Sequence, residues 1–420
     1  MAKMKVNRKD VLKGGVIAAF LIMMIGGLAP RASYAQCTLS LPTSWNVTSG
    51  VWFTAGNWNP ATVPNSSTTN VCLTNGVTAN PATTTMNGTA SAAGLQLGSK
   101  NTLDVGGNVL NVYGGSIENA GLITIENGNL TLQNSATLSG GGTITTSNNT
   151  LINQGSGGRT LTNQDNVIEG TGQLGQNGLA FANQSGGTVD ANGAGTLSMN
   201  GGGAVTNAGL LEAAGGGTLA IDNSVANSGG NITANTGGTV SVNAAITDGT
   251  LNSVGTGVLT SGTATLNGVT ISTGSTYNVG GQTFLEGTIT NNGTITVPNN
   301  SLTVEGGAVT LQGGGTVMMS GGAFFNQASG GLTLHNVNNT IEGTGELGQN
   351  GLALNNEAGG TVNANVSGGT LSLNGGGAVT NAGLLEATTG GTLTIDNNVN
   401  NTSTGNITAD GGTVSLTNSA

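Results

Sequence analysis

Charge is what this chain has least of. Asp, Glu, Lys and Arg make up 6% of its 420 residues. Six of the eight basic residues (Lys3, Lys5, Arg8, Lys9, Lys13 and Arg31) precede residue 32, leaving Lys100 and Arg159 for everything that follows. Past residue 35 these two cations face seventeen acids, a net charge of −15. Such a surface has no electrostatic footprint for DNA, RNA or an anionic membrane. Aromatics are 3%, and there are two cysteines and one histidine, too few for a Cys/His zinc cluster. The longest apolar run, GGVIAAFLIMMIGGL at 14–28, is short of the ~20 residues a membrane helix needs, so no membrane insertion is expected of the mature chain. Seventy-seven glycines without a triplet period exclude collagen, and Val, Ile, Leu and Thr in period-two order argue against disorder.

What is present is repetition. NGGGAVTNAGLLEA at 200–213 returns unchanged at 374–387, a shift of 174. IEGTGQLGQNGLA at 168–180 returns as IEGTGELGQNGLA at 341–353, a shift of 173, and the one-residue slip falls between ANGAG and ANVSGG, where a glycine turn absorbs it. Carried back to GSIENAG and GTITNNG, the pattern defines a duplicated unit at 115–286 and 287–420, the second copy incomplete. Because it stops where the first goes on with NAAITDGTLNSVGTG, the chain is expected to be the N-terminal piece of a longer protein.

A shorter rhythm runs inside the unit. Ile289, Ile295, Leu302, Val309 and Val317 lie six, seven, seven and eight residues apart, flanked by Thr, Ser or Val and separated by Gly and Asn. These are strands of three to five residues, apolar inward and hydroxyl outward. Strands so short bury a face only by stacking on sequence neighbours. Three per turn give a coil of roughly 20–22 residues, the size of a β-helix rung; a sandwich wants longer strands, and an eight-stranded barrel no duplication of this length. The expected fold is all-β, a parallel β-solenoid over 86–420, about sixteen rungs or ~75 Å long at ~4.8 Å per rung. Asn in NNG, TNAG and ENAG is placed to form amide ladders along the turns.

Residues 1–35 read as a secretory signal, with basic residues, the apolar run and Ser33-Tyr34-Ala35 as a small-x-small cleavage site. Tyr34-Ala35-Gln36 ahead of Cys37 lacks the pattern of a lipid-attachment box. Residues 36–85 hold all three tryptophans, Trp45, Trp52 and Trp58, with Phe53, both cysteines and four of six prolines. A first rung exposes unpaired backbone groups and an open core, so these aromatics suit an N-terminal cap; the competing reading is a tryptophan platform for sugar rings. Cys37 and Cys72, an even count in an exported chain, read as a disulfide, against two buried free thiols.

WNVTSGVWFTAGNWNPATVPNSSTTNVCL at 45–73, with tryptophans six or seven apart before a Val-Pro turn, resembles the leader of bacterial autotransporter-type and haemagglutinin-like surface proteins. NTIEGTGELGQNGLALNNEAGGTVNAN at 339–365 is similar to repeats of the same group. The resemblance implies a right-handed β-helical passenger, exported to the cell surface or outer membrane or released, acting as an adhesin. The chain departs from that group in ending at NITADGGTVSLTNSA without aromatic barrel strands, and in carrying Asn-Pro-Ala where partner-pore proteins carry Asn-Pro-Asn.

Enzymatic readings find little support. Lyase or hydrolase sites on β-helices need clustered aspartates with basic residues, whereas Lys100, Arg159 and His335 stand alone and only Asp396 and Asp410 fall within one rung's length. Glu169 and Glu342, like Glu212 and Glu386, are equivalent positions about eight rungs apart, far beyond the ~10 Å of a glycosidase pair. Glu342 and Glu346 are expected on a glycine turn as solvated carboxylates, and His335 at a strand end on the surface. Calcium nonapeptides and phosphate loops are missing. The expected function is structural, without enzyme activity, cofactor or metal. The mature chain would present an uncharged hydroxyl- and amide-rich face for adhesion to a glycan or protein ligand, or for self-association. The alternatives are a stalk, or an accessory β-helix of a carbohydrate-active enzyme whose catalytic part lies past residue 420.

Overall fold

The computed structural model describes residues 36–417; the expected signal sequence, 1–35, lies outside the described residues. Strands are two to six residues long and most alternate buried and outward residues. In Thr239–Val242, Val240 and Val242 are buried while Thr239 and Ser241 point out. From Asn70–Leu73 to Thr392–Ile395 each strand pairs in parallel with the strand three places further along the chain, so Leu211, Ile232 and Leu251 stack in register. Three sheets of 19, 17 and 16 strands result, giving an all-β parallel solenoid of about sixteen turns with one strand per sheet per turn. Turn length varies, 19 residues from Val240 to Leu259, 21 from Ile123 to Ile144 and 25 from Gly172 to Leu197. The core is one continuous column of Val, Ile and Leu.

Asparagine and glycine build the corners. Asn163 Nδ2 donates to Asn183 Oδ1 (2.9 Å), Asn183 to Asn207 (2.8 Å) and Asn207 to Asn227 (2.7 Å), all four buried. The same amides donate to corner carbonyls, Asn183 to Gly187 O and Asn163 to Asn166 O, so backbone groups that a turn leaves unpaired are satisfied inside the rod. Below this ladder, Asn119 Nδ2 donates to Asn166 Oδ1. Backbones approach too closely for a side chain at three glycines of the exact repeat, Gly201, Gly203 and Gly209. A Cβ on Gly203 would sit 2.2 Å from Leu179 O, and one on Gly209 2.3 Å from Gln184 O and Gly187 O.

The duplicated unit is not a whole number of turns. Val167–Gly170 is the seventeenth described strand and Thr340–Gly343, its equivalent, the forty-second. Twenty-five strands make eight and one-third turns, so every residue of the second copy lies one face further round than its counterpart. The ladder moves with it: Asn336 to Asn356, Asn356 to Asn381 and Asn381 to Asn401 repeat the bonds of Asn163 to Asn227 at the next corner. The one-residue slip lies at a corner, between Thr188–Ala191 and Thr196–Met199 in the first copy and between Thr361–Ala364 and Thr370–Leu373 in the second.

At the N-terminal end, Trp58–Asn59 runs antiparallel against Pro42–Trp45 and covers the first edge of its sheet. Trp45, Trp52 and Trp58 form an edge-to-face cluster with ring centroids 4.8 and 4.9 Å apart. Trp58 Nε1 donates to Trp52 O (2.7 Å) and Trp52 Nε1 to Pro64 O (2.9 Å), and Phe53 packs against the same core. All three indoles are buried, so they offer no face to a sugar, and the platform reading gives way to the cap. Cys37 and Cys72 are joined in a disulfide with Cα atoms 6.0 Å apart, tying the leader to the strand Asn70–Leu73.

Candidate functional site

With the core apolar and the corners amide-lined, chemistry is confined to outward positions. Glu169, Asp190 and Glu212 occupy one outward column, each in register with the next. At ~4.8 Å per turn these are adjacent carboxylates. Burial first, then Glu212 and Glu169, push Asp190 up from 3.8 to about 6, while a hydrogen bond from Asn192 opposes the shift. Glu169 is held by Thr145 Oγ1 (3.1 Å) and Asn192 Nδ2 (3.0 Å). At the 173-residue shift Glu169 answers to Glu342, about eight turns away, and no neighbouring acid shows. The rung period of about 21, applied to 169, 190 and 212, is the signal that finds this column.

Among the described residues no cation lies in the column. Of the basic side chains, Lys100 is exposed, Arg159 Nη2 donates to Ser156 Oγ, and His335 Nδ1 lies 3.4 Å from Glu357 Oε1 and 3.1 Å from Asn355 Nδ2. His335 is thus paired within the strand Thr333–Asn336. Among the described residues no group of three or more His, Cys, Asp or Glu side chains is arranged to hold a metal ion. In the second copy the same column reads Glu342, Asn363, Glu386 on the next face. Burial raises Glu342, and burial followed by Asp410 raises Glu386.

Glu342 and Glu346 are not turn residues. Glu342 lies in Thr340–Gly343 and Glu346 in Gly345–Gln349, on different sheets, because Gly343 (φ 110°) and Gly345 (φ 132°) fold the chain round a corner between them. Glu346 borders an open groove of about 250 Å³ that also takes in Gly321, Gly322, Phe324, Thr370 and Ser372. A larger depression of about 710 Å³ lies over residues 376–380 and 396–400, around Asp396 and Asn397. Elsewhere the outer surface is mostly polar, with isolated acids such as Glu126, Asp222 and Asp248 and exposed apolar side chains such as Val254 and Met318 among hydroxyls and amides. Thr196, Thr218 and Thr239 form one hydroxyl column, and Thr276, Thr294, Thr316, Thr340 and Thr361 another on the same sheet.

Comparison with protein-family models, with curated proteins and with solved structures finds no match for this chain. The likeness to autotransporter and haemagglutinin-like repeats therefore rests on the sequence stretches quoted above.

Proposed function

We propose that this protein is an exported bacterial surface or secreted rod with a structural, adhesive role and no catalytic one. The observation that carries the reading is the unbroken stack of about sixteen turns whose outward positions are mostly Thr, Ser and Asn, as in the threonine column from Thr276 to Thr361. A core shared by every turn makes the rod stiff, and outward hydroxyls and amides repeat every ~4.8 Å. Many weak polar contacts along such a face sum to useful avidity only when they are engaged together. The basic, apolar and Ser-Tyr-Ala sequence at 1–35 supports export. Lateral association of like rods through threonine columns is the second use of the same surface, opposed at low salt by the charge of −15.

The test is to produce the full chain in a bacterial host, sequence the N-terminus of the exported form, and measure adherence of the purified rod to glycan- and protein-coated surfaces. A new N-terminus at Gln36 with saturable adherence supports the reading. Retention in the cytoplasm with Met1 intact overturns it. Sedimentation across salt and protein concentration separates adhesion from self-association.

A further inference from the structure

We infer that the face carrying Phe284 and Phe324 binds a neutral glycan chain along the rod axis, with its main subsite in the groove beside Phe324. This rests on the adhesive reading and names its ligand class. The large aromatics Trp45, Trp52, Trp58, Phe181, Tyr277 and Phe325 are buried. Phe324, by contrast, is 40% exposed, and Phe284 lies outward on the same sheet, at an alternate position of Thr283–Glu286. Phe284 is in register with Thr303, and Ser301, two residues before Thr303, is in register with Phe324. The two rings therefore lie two turns apart along the axis and two residues apart along the strands, ~12 Å in all.

The groove next to Phe324 is open because glycines line it. Gly345 has φ 132°, and a Cβ there would lie 2.4 Å from Ala323 O. Glu346 is in register with Phe324, and Ser372 with Glu346, so ring, carboxylate and hydroxyl follow one another at single-turn steps. A pyranose has an apolar C–H face that packs on an aromatic ring and a rim of hydroxyls that donate to a carboxylate. At about 250 Å³ the groove is below the size of drug-binding pockets and suited to one sugar ring. Glu346 and the absence of Lys or Arg from the lining disfavour uronic acids and sulfated sugars. The first copy supplies an internal control: its equivalent column, also in register, is Leu151, Gln173 and Ser198, which keeps the fold and removes both recognition groups.

The experiment is titration of the full exported chain with cellotriose, maltotriose and β-galactotriose, and with trigalacturonate as the acidic counterpart, followed by NMR or calorimetry. Phe324→Leu and Glu346→Gln, each copying the first unit, are measured beside the wild type with circular dichroism as the check of fold. The expected result is saturable binding of at least one neutral trisaccharide, weakened about tenfold or more by F324L, which is the loss of roughly 1.4 kcal/mol, and no binding of trigalacturonate. Absence of binding for all three neutral sugars, or affinity unchanged in F324L, overturns the proposal. If the wild-type rod still adheres to coated surfaces under that result, the adhesive reading stands and only this site falls.

Discussion

The two copies of the duplicated unit share a core and a corner ladder yet point in different directions. Asn207 and Asn381 make the same amide bonds, Asn207 to Asn227 and Asn381 to Asn401, at different corners of the prism. The three faces are thus structurally interchangeable, and stacking is satisfied by any strand that buries alternate apolar residues. The outward residues, freed from that duty, have diverged. Asp190, Gln173, Thr162, Gly215 and Asp165 of the first copy answer to Asn363, Glu346, His335, Thr389 and Asn338 of the second.

The sharpest way to test the equivalence is to cut the ladder at matching places. Asn207→Ala leaves Asn183 Nδ2 and the Gly209 N–H without the amide they bond. Each of Asn207→Ala and Asn381→Ala is expected to cost about 2–3 kcal/mol, and the two values should agree within about 0.5 kcal/mol. Chemical denaturation, with hydrogen exchange on the flanking turns, measures both; a large disagreement would mean that the corners are not equivalent.

One corner difference leaves a donor stranded. In the first copy Asn166 Nδ2 donates to Asp165 Oδ1 (3.1 Å), which also accepts the Gly141 N–H. In the second copy Asn338 Oδ1 accepts the Gly314 N–H, but the buried Asn339 Nδ2 has no partner. Asn338→Asp should restore the pair and stabilise the second copy by about 1 kcal/mol, read as a shift in denaturation midpoint, while Asp165→Asn should lower the first by a similar amount.

Asp190 marks a third contrast, because Asn363 carries no charge. A carboxyl held at about 6 in the fold, against an ordinary 3.8, binds its proton more tightly folded than unfolded. Its contribution therefore rises as pH falls from about 6 to about 4 and is least favourable at neutral pH. Asp190→Asn should stabilise the protein at pH 7 by up to about 1 kcal/mol after solvent screening and flatten that pH dependence. An unchanged slope of stability between pH 4 and 7 would show that the column does not strain the fold.

Thr389 gives the smallest effect. It holds φ 53° where Gly215 holds φ 57°, and a β-branched residue is disfavoured in that left-handed region. Thr389→Gly should stabilise by about 0.5–1 kcal/mol, the gain reduced by the greater freedom of glycine in the unfolded chain. Thermal denaturation of T389G beside G215T should show opposite signs.

How much of this was legible in the letters follows from which residues are constrained. The six-to-eight spacing of Ile289, Ile295, Leu302, Val309 and Val317 shows the solenoid and its three strands per turn because each marks an inward position. The asparagines of TNAG and ENAG show the ladder because Asn207 and Asn119 occupy corners where backbone groups need an amide. The rotation between copies does not show, since turns of the solenoid range from 18 residues (Leu259 to Tyr277) to 26 (Gly345 to Leu371) and no letter distinguishes one face from another. The Glu169–Asp190–Glu212 column does not show at the copy shift, because only the turn period of about 21 residues brings the three acids together. Phe324 was missed because, in the Phe324-Phe325 pair, strand alternation buries one ring and exposes the other, and only the phase of the turn decides which.

A duplication of eight and one-third turns behaves as a screw. Each added copy turns its surface by 120°, so an identical patch regains its starting azimuth only after three copies, about twenty-five turns or ~120 Å of rod at ~4.8 Å per turn. Growth of such a protein by whole-unit duplication distributes a new binding patch around the shaft like steps of a spiral stair, allowing partners to approach from any side but preventing neighbouring copies from gripping the same flat surface.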